Sequence, residues 1–505
     1  MSHPTTPENV TTSTETNDRL DPKARMALIL LLAAVFVVFL NETTMSVAIP
    51  TIIADLGITA AQGQWLTTGY ALTMAVVIPI TGWLLQRLNT RPVFVMAMSL
   101  FTAGTIIAAT APVFEVLVVG RVVQATGTAI MMPLMMTTIM TIVPMHIRGR
   151  IMGRISMVMS LAPAIGPTVA GFLLQAFDGY WRGLFWVMLP LAVVMLVLGV
   201  VLVPNVTETR AVPLDALSVV LSALGFSTLV YGFSSIGLAA ESAALLPPWL
   251  PITVGLGLLV AFAFRQFALQ RRDAAFLDLR TFRARTFSLS IVMFSLAMLM
   301  LFGFVITMPI YLQYGLGQPT NVIGLIMLPG GLLMGLLGPF VGRLYDRVGP
   351  RPLVIPGALA ISLSVWAFAL LLDVNSSVWL VAAIQTTLFL GFAFVFPPLF
   401  TASLGSLPMH LYSHGSALIA TIQQVAGAAG AAVFVALFTV SLAASGTTDV
   451  TVALPSDIAD GAKLAFFAAA LVSLGIVATA LFVHKPAAPE ISDASLSAEA
   501  ETAAH

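Results

Sequence analysis

Apolar stretches of about 20 residues, separated by short polar segments, recur along nearly the whole chain. A stretch of this length spans a bilayer as an α-helix, and open sheet edges cannot satisfy their backbone hydrogen bonds in lipid. Hydrophobic residues make up 59% of the chain and charged residues 9%, whereas soluble domains carry roughly 25% charged residues. The sequence therefore predicts an all-α polytopic membrane protein with 14 transmembrane helices. They are expected near 26–49, 64–86, 92–111, 114–138, 151–175, 183–203, 214–236, 249–270, 288–312, 322–344, 352–372, 377–402, 415–441 and 462–483.

The two ends of the chain are polar and lack an apolar core. We expect 1–24 and 485–505 to be disordered cytoplasmic tails, and 1–24 not to be a cleaved signal peptide. If the N-terminus is cytoplasmic, all of the 22 Lys and Arg residues except Arg121, Arg182 and Lys463 fall on the inner side. This asymmetry follows the positive-inside rule. It predicts a multi-pass protein of the cell membrane with both termini in the cytoplasm.

Two sequence patterns recur at almost the same spacing. "GWLLQRLNTRP" at 82–92 resembles "GRLYDRVGPRP" at 342–352, and "MSVAIPTI" at 45–52 resembles "VITMPIYL" at 305–312. An offset of about 260 residues holds about eight helices at one helix and loop per 32 residues, which indicates two extra helices between two six-helix halves. The predicted pseudo-symmetric halves are 25–205 and 286–484, with the linker helices and their cytoplasmic flanks at 206–285. Parallel repeats are typical of secondary transporters.

Five motifs stand at the helix positions where one family of transporters carries them. They are the first-helix run "LNETTMSVAIP", an inner-loop motif found at 82–91 and again at 342–351, the helix-four pattern at Arg121, Gln124 and Gly127, "APAIGPTVAG" on helix five, and "WRGLFWVMLP" at 181–190. Together these motifs resemble the major facilitator superfamily, in its fourteen-helix drug:proton antiporter branch. The resemblance covers about 25–485 and implies a multidrug efflux permease. It also implies a cytoplasmic gate at Gly82, Arg87, Arg91, Gly342, Asp346, Arg347 and Arg351.

Two positions depart from the family pattern. Asn41 stands where the first-helix motif usually has an aspartate, and Glu42 follows it. Gln86 replaces the usual aspartate of the first inner loop, whereas Asp346 keeps the acid of the second. The first departure affects the coupling geometry, and the second removes one charge from the inner face.

Glu42 is the candidate for proton coupling, because nearly all of the other 21 acidic residues fall in tails or loops. A charge at mid-membrane costs at least about 2.5–3.5 kcal/mol, and burial favours the neutral form of a carboxyl group. At about 1.5 Å per residue, Glu42 and Arg121 both fall in the outer half of the bilayer. We expect the two residues to exchange a pairing when Glu42 is protonated. The alternative is a fixed polar cluster that only orients the helices.

Helix five contains Gly166, Pro167 and Gly171, which we expect to break the helix and permit close helix packing. The functional interpretation is an element that flexes or seals between the halves; the alternative is a static contact. The arginines of the inner loops have two interpretations as well. They obey the positive-inside rule, and they could also form a latch with Asp346.

The substrate cavity is expected between the halves near mid-membrane. The polar and aromatic candidates are Trp65, Tyr70, Gln124, Tyr311, Gln313, Gln385, Gln423 and Gln424. Each of them could equally be a packing residue. His146, His410 and His414 are expected in solvated inner loops.

The chain has no cysteine and no phosphate-loop motif, so we expect no cofactor, no metal and no ATP-driven transport. The favoured hypothesis is a transporter, not an enzyme, that exports hydrophobic or cationic toxic compounds in exchange for protons. The alternative is an exporter of one metabolite, antibiotic or lipid, and a membrane enzyme or channel is disfavoured. The expected partners are the bilayer, small hydrophobic substrates and protons, not nucleic acid, and a periplasmic or accessory subunit is left open.

Overall fold

The computed structural model describes residues 22–58, 60–206, 209, 215–240, 246–272, 275–446 and 453–483. Most of both predicted tails lies outside this part of the chain. Within it the fold is helical, with fourteen helices of 20 residues or more. They are α1 (Pro22–Leu56), α2 (Ala60–Arg87), α3 (Thr90–Ala109), α4 (Phe114–Ile142), α5 (Arg148–Ala176), α6 (Arg182–Leu202), α7 (Ala216–Ala240), α8 (Trp249–Gln270), α9 (Arg285–Ile310), α10 (Thr320–Val348), α11 (Arg351–Leu371), α12 (Val378–Gly405), α13 (Tyr412–Ala444) and α14 (Pro455–Ala480).

The all-helical polytopic architecture is confirmed. Thirteen helices contain a segment long and apolar enough to cross a membrane, counted over the described side chains. The helix outside this set is α5, in which the side chains at 163, 164 and 167 are not described.

Helix α1 differs from its predicted boundary. The sequence predicts an end before Pro50, but the helix continues through this proline to Leu56. It ends at Gly57, whose φ of 63° is a left-handed conformation that glycine adopts without steric penalty. Its 35 residues correspond to about 52 Å at about 1.5 Å per residue, so α1 exceeds a hydrocarbon core of about 30 Å.

Helix packing forms two groups. Helices α1–α6 pack with one another, as do α9–α14, and α7 packs against α8, α2 and α13. The two groups meet chiefly where α5 lies along α10 and α13 lies along α2 and α4. Helices α2, α4, α10 and α12 all end at one side of the bundle. We call this side the arginine-rich end, because it carries the arginines at 87, 91, 148, 150, 343 and 347.

A seam of glycines brings α5 and α10 together at the arginine-rich end. A Cβ atom at Gly153 would collide with the carbonyl oxygen of Gly338, and one at Gly342 with the carbonyl oxygen of Gly149. Each helix thus presents two glycines four residues apart, a spacing that permits close backbone contact between membrane helices. The seam joins the two helix groups where their polar loops meet.

The opposite end is fastened by Arg182 and Trp181, the first two residues of the run at 181–190. The indole of Trp181 donates a hydrogen bond to Asp55 Oδ2 at 2.8 Å, and Arg182 Nη1 lies 3.0 Å from the same oxygen. Arg182 Nη2 also donates to the carbonyl of Ala111 at 2.8 Å. These contacts tie the end of α1 and the α3–α4 loop to the start of α6.

Candidate functional site

Arg121 is the centre of a polar cluster buried among α1, α2 and α4. Its side chain is 2% exposed. Its Nη1 atom donates to Gln124 Oε1 at 2.9 Å and to Asn41 Oδ1 at 3.3 Å, and its Nε atom donates to the carbonyl of Leu66 at 3.4 Å. The guanidinium carbon also lies 4.1 Å from the ring centre of Tyr70, a cation–π distance. One buried cation therefore connects three helices.

A second layer of hydrogen bonds holds Gln124 and Tyr70 in place. Gln124 Nε2 donates to the hydroxyl of Thr105 on α3 at 2.8 Å, and the Tyr70 hydroxyl lies 2.6 Å from that of Thr128. Both hydroxyls are buried. Because buried polar groups are costly to leave unpaired, these partners favour one orientation of the cluster. Sequence reasoning missed Asn41, Thr105 and Thr128 as members, although their positions within apolar helices could have indicated them.

Glu42 lies beside this cluster and takes part in none of the hydrogen bonds given above. Its Oε2 atom is buried and has no hydrogen-bond partner in the described part of the chain, while Arg121 is close enough to interact with it electrostatically. The similar depth expected for Glu42 and Arg121 agrees with the bond from Arg121 to Asn41, the residue before Glu42. In this conformation Asn41, not Glu42, accepts the hydrogen bond from Arg121.

Helix α5 is uninterrupted from Arg148 to Ala176, so the expected break at Gly166 and Pro167 is wrong for this conformation. The helix continues on either side of the proline, and the side chain of Pro167 lies outside the described set. Gly166 faces α1, where an added Cβ would collide with the hydroxyl of Thr43. Gly171 is exposed, and a Cβ added there would have no atom of the described residues within 4 Å, so it makes no close helix contact with that part of the chain.

The predicted cavity residues are spread over both helix groups. Tyr70 and Gln124 belong to the Arg121 cluster, and Trp65 is 41% exposed and stacks on Tyr231 of α7 with ring centres 6.4 Å apart. Gln423 and Gln424 on α13 are half-buried.

The other candidates lie in the second helix group. The Tyr311 hydroxyl donates to the carbonyl of Asp373 at 2.7 Å, which ties the π-helical turn after α9 to the α11–α12 loop. Gln313 is exposed. Gln385 is buried, with a 3.4 Å bond to the carbonyl of Ile326 and an Oε1 atom without a partner among the described residues.

Asp346 joins the two helix groups at the arginine-rich end. Its Oδ1 and Oδ2 atoms accept hydrogen bonds from the backbone N–H groups of Gly149 and Arg150, at 2.7 and 2.8 Å. These groups belong to the first turn of α5, where free N–H groups and the helix dipole favour a carboxylate. Asp346 therefore forms a helix cap across the two groups, and its action as a latch stays a prediction.

The other gate candidates fall into two sets. Gly342 lies in the glycine seam, and Gly82 faces α13, where an added Cβ would lie 3.3 Å from that of Ala417. The four gate arginines, at 87, 91, 347 and 351, are exposed. Arg87 lies over the ring of Trp83, and the backbone N–H of Arg91 donates a hydrogen bond to the side chain of Asn205.

Gln86 takes the place that corresponds to Asp346 and contacts His414. The Gln86 Nε2 and His414 Nε2 atoms are 2.6 Å apart, and His414 Nδ1 is 3.3 Å from the backbone nitrogen of Asp278. His414 is 4% exposed within α13, so its expected place in a solvated loop is wrong. His146 and His410 are exposed in short turns, as expected.

The family model and the relatives that match this chain all point to the same protein family. Residues 31–431 match the model of the Major Facilitator Superfamily. The "Uncharacterized MFS-type transporter YcnB" of Bacillus subtilis is 40% identical, over 91% of this chain and 95% of that protein. The "Lincomycin resistance protein LmrB" of Listeria monocytogenes is 37% identical over 80% and 84%, and the "Multidrug resistance protein B homolog" of Mycobacterium tuberculosis is 31% identical over 84% and 77%.

Solved structures show the same fold. The human organic anion transporter MFSD10 (TETRAN) has a TM-score of 0.64 at 15% identity, over 91% of this chain and 100% of that one. The proton:xylose symporter XylE has a TM-score of 0.61 at 13% identity, over 91% and 95%. Together with the family match, this establishes that the chain belongs to the Major Facilitator Superfamily and is a membrane transporter, not an enzyme.

Proposed function

We propose that this transporter exports hydrophobic or cationic toxic compounds, drugs among them, across the cell membrane in exchange for protons. Two relatives at 31–37% identity carry names that refer to lincomycin resistance and multidrug resistance. The observation on which the proton coupling rests is the buried, unpaired Oε2 atom of Glu42 beside Arg121, among the residues that the structure describes.

The distribution of basic residues supports an orientation. Loops rich in Lys and Arg remain in the cytoplasm, so the arginine-rich end is the cytoplasmic end in this proposal. The Asp346 cap and the glycine seam close this end, and the conformation is then one in which the path from the cytoplasm is sealed. Alternating access requires that these contacts separate when the substrate enters from the cytoplasm.

Glu42 would bind a proton from the outer side and release it to the cytoplasm. A proton on Glu42 removes a negative charge from the surroundings of Arg121, whose hydrogen bonds hold α1, α2 and α4 together. Protonation therefore changes the electrostatic balance among these helices. The membrane potential contributes about 2.3 kcal/mol per charge per 100 mV, with the pH difference in addition.

The second candidate is an exporter of one metabolite, antibiotic or lipid by the same mechanism. The relatives named for resistance to a single antibiotic, lincomycin, favour it. The two functions differ in the number of compounds that the purified protein moves, so one assay separates them.

The test is transport by the full chain in proteoliposomes with an imposed pH gradient. Tetraphenylphosphonium, ethidium and lincomycin serve as probes, with and without an uncoupler. We expect gradient-driven movement of more than one probe and its loss with the uncoupler. Movement of one probe alone favours the dedicated exporter, and transport that is insensitive to the uncoupler contradicts proton coupling.

The variant Glu42→Gln keeps the size of the side chain and removes its titration. We expect the rate of gradient-driven transport to fall at least about 10-fold, which corresponds to about 1.4 kcal/mol. The variant should still bind the probe. Glu115→Gln is the matched control, because Glu115 is an exposed acid in the first turn of α4. Equal loss in both variants, or none in Glu42→Gln, contradicts the role of Glu42.

A further inference from the structure

A basic pocket lies between α5 and α10 at the arginine-rich end. It is lined by Arg150 and Arg154 of α5 and by Pro339 and Arg343 of α10. Arg25, in the first turn of α1, is close enough to Arg154 to repel it, as are Arg150 and Arg343. Four positive charges from three helices therefore converge at a joint between the two helix groups.

These arginines are short of negative partners. Among the described residues, the groups that act electrostatically on Arg154 are all arginines. The one carboxylate near Arg150 among the described residues is Asp346, which offsets a single positive charge and whose two oxygens also accept backbone hydrogen bonds. The Nε atom of Arg150 is buried and has no hydrogen-bond partner in the described part of the chain. An unpaired buried donor beside a pocket with an excess of positive charge indicates an anionic ligand.

The surface next to the pocket is apolar. Leu336 and Phe340 of α10 are 62% and 50% exposed, and they lie seven and three residues before Arg343, on the same face of the helix. Leu333, also exposed, extends this row by one more turn. In a membrane helix such a row faces lipid, and it ends at the guanidinium of Arg343. The site thus combines a cationic pocket with an apolar track leading away from it.

We propose that this pocket binds the phosphate headgroup of an anionic phospholipid, with an acyl chain along the exposed row of α10. The headgroup would offset the repulsion between the arginines of α5 and Arg343 of α10, which belong to different helix groups. A bound lipid would therefore stabilise the conformation in which the arginine-rich end is sealed, and would link lipid composition to the rate of transport. This proposal does not depend on proton coupling.

The first test is binding to the full chain in detergent, measured by native mass spectrometry and by thermal unfolding. The probes are phosphatidylglycerol, phosphatidylcholine and inorganic phosphate. We expect phosphatidylglycerol to bind and stabilise more than phosphatidylcholine, and phosphate alone to give no comparable shift. Equal effects of the two lipids contradict the headgroup assignment, and an equal effect of phosphate contradicts the lipid.

The second test uses variants. Since an arginine near an anionic surface contributes about 1 kcal/mol, Arg154→Gln with Arg343→Gln is expected to weaken phosphatidylglycerol binding about 30-fold. Arg271→Gln with Arg272→Gln is the control, because these exposed arginines lie outside the pocket. The charge-keeping pair Arg154→Lys and Arg343→Lys is expected to retain most of the binding. If the glutamine pair fails to fold, Arg154→Gln alone tests the site, with an expected loss of about 5-fold. Unchanged binding in the glutamine pair, or equal loss in the control, overturns the proposal.

Discussion

Arg148 of α5 and Tyr412 of α13 contact each other across the two helix groups. Arg148 Nη1 donates to the Tyr412 hydroxyl at 3.2 Å, and the guanidinium carbon lies 5.6 Å from the centre of the ring. Both residues begin their helices, and each follows a short turn with the sequence Pro-Met-His, at 144–146 and 408–410. The contact therefore joins equivalent positions of the two groups at the arginine-rich end.

Replacing Arg148 should loosen the arginine-rich end. Its side chain also donates to the carbonyls of Val143 and Met140, at 3.0 and 2.7 Å, so Arg148→Gln unpairs two carbonyls near the end of α4. Each lost hydrogen bond of a charged donor is worth roughly 1.5–3 kcal/mol. Those two carbonyls belong to the same helix group as Arg148, so the change in the closed population comes from the lost contact with Tyr412. We expect this population to fall about 10-fold.

The measurement is the distance between spin labels on cysteines introduced at Met145 and Met409, which are 43% and 65% exposed. The chain has no cysteine of its own, so the labels are specific. Tyr412→Phe is the matched variant, because it keeps the ring and loses one acceptor, and we expect a shift of less than about 5-fold. A distance distribution that Arg148→Gln leaves unchanged would show that the contact does not hold the end closed.

The repeat at these two turns could have been recognised from the sequence. The paired patterns near 82 and 342 are conspicuous because of their glycine, arginine and proline, whereas the short Pro-Met-His run, which recurs at an offset of 264 residues, is easily overlooked. The paired glycines at 149 and 153 and at 338 and 342 are likewise visible as two small residues four apart. That the two pairs face each other is a matter of helix rotation, which the sequence alone does not specify.

Asp346→Asn should weaken the joint between α10 and α5 without changing the size of the side chain. The carboxylate accepts two backbone hydrogen bonds at the start of α5, and a charged cap at such a site is worth roughly 0.5–2 kcal/mol. We expect a shift of about 2- to 30-fold away from the sealed conformation, measured with the same pair of spin labels. Asp460→Asn, an exposed aspartate of α14 outside this joint, is the control. If Asp460→Asn shifts the label distances equally, the effect comes from the loss of one negative charge and not from the cap on α5.

Asp215 predicts a pH dependence for the packing of α7 on α8. Two hydrogen bonds from Arg265, at 2.7 and 2.6 Å, lower the pKa of Asp215 from 3.8 to about 2. A group whose pKa is lower in the folded state stabilises the fold above its unfolded pKa, and this contribution is lost as the pH falls through the folded value. The contribution should therefore be full above about pH 4 and disappear towards pH 2.

The measurement is thermal unfolding in detergent across this range, with Asp215→Asn for comparison. Because the pair is partly exposed, we expect a difference of about 1 kcal/mol or less at neutral pH. The gap between the two proteins should narrow as the pH approaches 2. A gap that stays constant from pH 6 to pH 2 would show that the ion pair is not its source.

The polar cluster is only partly predictable from the sequence. A charge inside an apolar helix stands out, so Glu42, Arg121 and Gln124 can be named, and counting residues along each helix gives a common depth for the first two. Which of the adjacent residues Asn41 and Glu42 faces Arg121 depends on a rotation of about 100° per residue, which depth does not determine. The prediction for His414 is wrong because α13 is expected to start at 415, three residues after its observed start at Tyr412.

Gly153→Ala should open the seam between α5 and α10. The added Cβ would collide with the carbonyl group of Gly338, which is backbone and cannot turn away, and overpacking of this kind costs typically about 1–3 kcal/mol. We expect the sealed population to fall about 5- to 100-fold. Gly324→Ala is the matched control on α10, because no atom of the described side chains or backbone lies within 4 Å of its added Cβ. Replacing that helical glycine should be neutral or stabilising by up to about 1 kcal/mol. If Gly153→Ala and Gly324→Ala both give the spin-label distances of the unsubstituted protein, these glycines do not determine how closely α5 and α10 pack. The seam then does not control closure of the arginine-rich end.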